Sequence, residues 1–151
     1  MSLASTLHIL SVVIWVGGMF FAYVILRPAA ASLLEPPQRL SLWRLVFNGF
    51  FPLVWASIIT ILASGLWMIM KLGGFAAVAG YVNTMFALGL VMMALFMHVF
   101  FAPYRRLKKA VAEENWPEGG KQLNMIRKIV GINTLIGVLT IIVATAGKSL
   151  I

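Results

Sequence analysis

From Leu3 to Leu26 the chain reads LASTLHILSVVIWVGGMFFAYVIL, about two dozen residues with no acid, no lysine and no arginine. Its one ionisable side chain is His8. A run of about 20 apolar residues crosses the hydrocarbon core of a bilayer as a helix, which satisfies every backbone N–H and C=O without water. This stretch is too long for a signal-peptide core and no small-residue cleavage site follows it, so a retained helix is expected. An imidazole inside such a run is costly to leave against lipid, and it is expected to face a partner, a cavity or a ligand.

The remainder of the chain is of the same kind. Hydrophobic residues make up 62% and charged residues 11% of the 151 positions, and the mean hydropathy is +0.98. Those values lie outside the range of a soluble domain and leave room for four membrane spans and little else. The chain therefore reads as a single all-α integral membrane domain over residues 1–151, a four-transmembrane-helix bundle with an amphipathic surface segment. Spans are expected at about 3–26, 50–70, 81–102 and 129–146. Arg27-Pro28 closes the first, and residues 29–49, with the polar break Glu35-Pro36-Pro37-Gln38-Arg39, read as surface-lying. Pro52 is expected in the first turn of the second span, where a missing N–H costs little.

The bases set the orientation. Arg27, Arg39 and Arg44 occupy the first connection, and seven more lie between Arg105 and Lys128, whereas the second connection has Lys71 alone. The positive-inside rule puts the first and third connections in the cytoplasm and both termini outside. Because the bases adjoin apolar runs, the net charge of +8 points to the bilayer and its anionic lipid head groups as partners, and not to nucleic acid. Cysteine is absent, which excludes disulfides and thiolate chemistry. All four acids, Glu35, Glu113, Glu114 and Glu118, fall in the connections, so no carboxylate is available inside a span.

The candidate functional residues follow from helical spacing. His8 shares a face with Ser11, Trp15, Gly18 and Ala22, small residues that admit a neighbour or a flat ligand beside an aromatic wall. The same small residues also suit plain helix packing. His98, near the cytoplasmic end of the third span, is the second imidazole. At 1.5 Å per residue His8 lies roughly 28 Å above Arg27 and His98 about 8 Å above Pro103, so the two differ in depth by about 20 Å. One bis-histidine metal or haem site within a single chain is therefore not expected. The stripes Ser57/Thr60/Ser64/Trp67 and Asn133/Gly137/Thr140/Ala144 suit packing or a polar path. Met85, Met92, Met93 and Met97, with His98, offer the soft donors that suit Cu(I), although methionine also fills gaps in apolar helices.

His8 followed by Trp15-Val16-Gly17-Gly18, Arg27 at the end of that span, Gly65-Leu66-Trp67 closing the second and His98 late in the third resemble the CopD-like superfamily. That grouping includes the copper-resistance D domain and the HemJ-type protoporphyrinogen oxidases. The resemblance implies a multi-pass protein of the bacterial inner membrane, and the distribution of bases then puts both termini on the periplasmic side. The resemblance also implies haem b as cofactor and a redox or electron-transfer role, with His8 as the leading ligand and His98 and Arg27 as functional candidates; Ser11, Trp15 and Gly18, on the His8 face of the helix, would flank the group. If the chain is an enzyme, it is then a membrane oxidoreductase of the protoporphyrinogen oxidase kind. HemJ-type proteins carry a lysine early in the third span, where this chain has Met85, Phe86 and Ala87. The alternatives are Cu(I) transport or resistance through His8, His98 and the methionines, and a non-catalytic membrane subunit. A homodimer or a larger membrane complex would supply any ligands that one chain lacks.

Overall fold

The computed structural model describes residues 2–149, with side chains from Leu3 onward. Among these residues every element is helical: α1 (Ser2–Phe20), a π-helical turn (Phe21–Leu26), α2 (Arg27–Leu33), α3 (Pro36–Lys71), α4 (Gly80–Phe101), α5 (Pro103–Ala112) and α6 (Trp116–Ala146). Four stretches are long and apolar enough to cross a membrane: Leu3–Leu33, Pro36–Lys71, Gly80–Ala112 and Trp116–Ala146. Large apolar side chains such as Val13, Ile59, Leu135 and Ile142 stand exposed on the bundle's outer surface, as expected where the solvent is lipid.

Two boundaries depart from the sequence expectation. Arg27-Pro28 does not end the first helix. Pro28 has no N–H to give, and its ring would strike the carbonyl one turn back in a regular helix. The chain passes this point in π register, with the Arg27 N–H bonded to the Ala22 carbonyl. The Tyr23 carbonyl, whose π-register donor would be Pro28, instead accepts from Arg27 Nε at 3.1 Å. The helix then continues to Leu33.

The second departure is Pro36-Pro37, which begins α3 instead of breaking the chain, since proline is tolerated in a helix's first turn. Leu40, Trp43, Phe47, Phe51 and Val54, at i, i+3, i+7, i+11 and i+14, form one buried stripe along it. Residues 36–49 are thus continuous with the second span, and Pro52 lies inside the helix, not in its first turn. At 1.5 Å per residue this 36-residue helix is about 54 Å long, well beyond a core of about 30 Å. The amphipathic surface element is α5: Tyr104, Leu107 and Ala110 face inward while Arg105, Arg106, Lys108 and Lys109 face out.

The helices pack chiefly as two antiparallel pairs, α1 with α3 and α4 with α6, and α5 lies along α6. An aromatic cluster joins α3 to α4 and α5: Phe47 stacks on Phe51 at 4.9 Å, and Phe51 meets Tyr104 edge-on at 4.7 Å and Phe96 at 5.2 Å. Such pairs add about 0.5–1.5 kcal/mol each beyond burial. Between α4 and α6, Asn133 Nδ2 donates to the Met92 carbonyl at 3.2 Å. A Cβ on Gly137 would lie 3.1 Å from both Met92 and Val16, so this glycine lets three helices meet.

Candidate functional site

The face that runs from His8 to Ala22 is turned into the bundle. Ser11, Trp15, Val16 and Met19 are buried, and Trp15 is only 2% exposed. Ile9, Leu10, Val13 and Ile14, on the other faces of α1, are exposed. His8 meets α3, where its Nδ1 is 3.0 Å from Ser64 Oγ. The direction of that bond follows from the serine. Ser64 has one proton, and its Oγ lies 2.6 Å from the Thr60 carbonyl and 3.3 Å from the Ile61 carbonyl, both of which can only accept. The hydroxyl therefore gives its proton to the backbone and accepts from His8 Nδ1–H.

That assignment makes Nε2 the nitrogen with the free lone pair, with the Ile61 carbonyl as a further acceptor beside the ring. A ring with one nitrogen anchored as donor and the lone pair on the other is the arrangement that metal-binding histidines adopt. Gly65 permits it, because a Cβ there would stand 3.3 Å from His8 Cε1. One turn further along both helices, Ser5 Oγ donates to Met68 Sδ at 3.5 Å, which sets a thioether one helical turn along from the His8–Ser64 pair. Among the described residues no three His, Asp or Glu side chains gather into a metal-holding group.

Trp15 and Gly18 belong to a different place. They line an apolar cavity of about 330 Å³ in the middle of the bundle, together with Phe50, Phe96 and Asn133. Gly18 is pressed against the Phe50 ring, and no side chain fits between them. Asn133 is 3% exposed, and its Oδ1 has no hydrogen-bond donor among the described residues. Arg27 lines a separate cleft of about 280 Å³ at the basic end, with Arg39 and Arg127. The cavity and the cleft adjoin, since Ala22, Phe47 and Val130 line both. His8 lines neither.

His98 is exposed on the outer surface of α4, in line with exposed Ala94, Val91 and Ala87. It lies one turn from the basic end of the bundle, whereas His8 sits near the opposite end, opposite Ser64. The span-three methionines divide similarly. Met92 and Met93 are buried, while Met97 is 40% exposed beside His98. The structure therefore pairs His8 with Ser64, and Ser5 with Met68 one turn further on, gathers Trp15, Gly18 and Asn133 in another place, and leaves His98 apart. Met68 was not marked by sequence reasoning. Its signal was its spacing, four residues after Ser64 on the stripe that faces α1.

The family model for copper resistance protein D matches residues 44–146, roughly two thirds of the chain. The match takes in α3 from Arg44 and all of α4, α5 and α6, so Ser64, Met68 and His98 lie within it and His8 lies before it. No curated protein and no solved structure matches the chain.

Proposed function

The chain belongs to the copper resistance protein D family, a multi-pass membrane family, and from that membership we propose that it carries Cu(I) as cargo, with His8 Nε2 as the leading ligand. Met68 Sδ, one turn away, is the soft partner. Thioether and imidazole together suit Cu(I), and harder divalent ions prefer carboxylates, which this face lacks. The observation that carries the reading is the Ser64 contact, which favours Nδ1 as the donor and so leaves the ring's lone pair on Nε2. With the basic connections in the cytoplasm of a bacterial inner membrane, His8 stands near the periplasmic boundary, where incoming copper is met first.

Haem b is the second reading. It is supported by the apolar cavity beside Trp15 and Gly18 and by Arg27 in the adjoining cleft, which suits a propionate. It draws no support from His8, which lines neither space. An oxidoreductase role of the protoporphyrinogen oxidase kind depends on this second reading.

Titration of the purified protein with Cu(I) against a chromophoric chelator tests the first reading. The expected result is binding that weakens by more than about tenfold in His8→Ala; unchanged affinity contradicts it. A visible spectrum of the same preparation, made with ample haem supply, reads the second. A Soret band favours haem, and its absence favours copper alone.

A further inference from the structure

At the basic end of the bundle, the cleft between the π turn, the start of α3 and the start of α6 gathers three guanidinium groups, those of Arg27, Arg39 and Arg127. Its walls are apolar and aromatic, with Trp43, Phe47 and Trp116 prominent. None of the lining residues is acidic. Of the four acids in the chain, Glu118 is engaged by Gln122 Nε2 at 2.7 Å. Three like charges around an apolar recess repel one another unless an anion sits among them. Arg27 is held in place for such a role: its guanidinium lies over the Tyr23 ring at 4.6 Å and its Nε is fixed on the Tyr23 carbonyl.

The cleft also has an apolar continuation. Through Ala22, Phe47 and Val130 it adjoins the inner cavity, whose lining is apolar except for Asn133. An anionic group among the arginines and a hydrocarbon tail against the inner walls would fill both spaces together. We propose that this cleft is a specific site for one anionic phospholipid of the adjacent leaflet, its phosphodiester held by Arg27, Arg39 and Arg127 and an acyl chain directed toward Gly18 and Phe50. Arginine binds phosphate oxygens through two parallel N–H donors, and aromatic side chains such as Trp43 and Trp116 are at home at the level of the head groups. The site is distinct from the His8 region and does not depend on copper.

The test is retention of lipid by the full-length protein in native mass spectrometry. The protein is purified in a neutral detergent and offered phosphatidylglycerol, phosphatidylcholine or inorganic phosphate separately. The expected result is one tightly held phosphatidylglycerol, weak retention of phosphatidylcholine and no comparable adduct with inorganic phosphate. Arg39→Gln/Arg127→Gln should lower phosphatidylglycerol retention by about tenfold or more. Arg105→Gln/Arg106→Gln, which removes the same charge from the exposed face of α5, should leave it unchanged. Equal loss in both double variants would reduce the effect to diffuse attraction and overturn the proposal. Equal retention of the two lipids by the unaltered protein, or phosphate binding as tight as that of phosphatidylglycerol, overturns it without recourse to any variant.

Discussion

His8 and Ser64 face each other across α1 and α3 at 3.0 Å, and the serine's own proton is already committed to the Thr60 carbonyl at 2.6 Å. One hydroxyl thus reads out the tautomer of a membrane histidine. The backbone of α3 sets the serine, the serine sets Nδ1, and Nε2 is what remains for chemistry.

Ser64→Ala removes the acceptor and keeps the helix. The ring is then free to turn, and Cu(I) affinity is expected to fall about 10- to 100-fold, as for other partners that orient a metal-binding imidazole. Stability should change by only about 1 kcal/mol, the net worth of one hydrogen bond. Chelator competition and a thermal melt on the same sample separate the two effects.

Neighbouring glycines on α1 make a sharp pair for packing. Gly18→Ala would drive its Cβ into the Phe50 ring, whereas a Cβ at Gly17 has nothing within 4 Å. The first change should cost about 1–3 kcal/mol through overpacking, and the second should be neutral or slightly stabilising through helix propensity. Melting of the two variants in the same detergent gives the comparison.

Met68 and His98 separate the paired site from the exposed imidazole. Met68 meets Ser5, one turn from His8 on α1, while His98 stands on the outer surface of α4. Met68→Leu, close in volume and without sulfur, is expected to weaken Cu(I) binding by about tenfold. His98→Ala should leave it unchanged. The reverse order would move the ligand set to α4.

Much of this arrangement was legible in the sequence, and the parts that were not have one cause. The four spans follow from hydropathy, and the inward face of α1 follows from spacing, because both properties are local. Pro28 and Pro36-Pro37 misled because a proline's effect depends on register: Pro28 is accommodated by a π turn and Pro36-Pro37 sit where a helix starts. The grouping of His8, Trp15, Gly18 and Arg27 around one ligand assumed that a shared helix face opens on a shared space. Seven residues along a helix is about 10 Å, enough to place His8 against Ser64 and Trp15 beside a separate cavity. Which residue of α3 stands opposite which residue of α1 is a matter of register between helices, and no periodicity within one helix encodes it.

The most direct test is X-ray absorption at the copper edge of the Cu(I)-loaded protein. The expected spectrum shows imidazole nitrogen together with thioether sulfur, with the nitrogen contribution lost in His8→Ala. Imidazole scattering that persists in His8→Ala, or a protein that retains no Cu(I), would contradict the assignment of His8 Nε2 as the copper ligand.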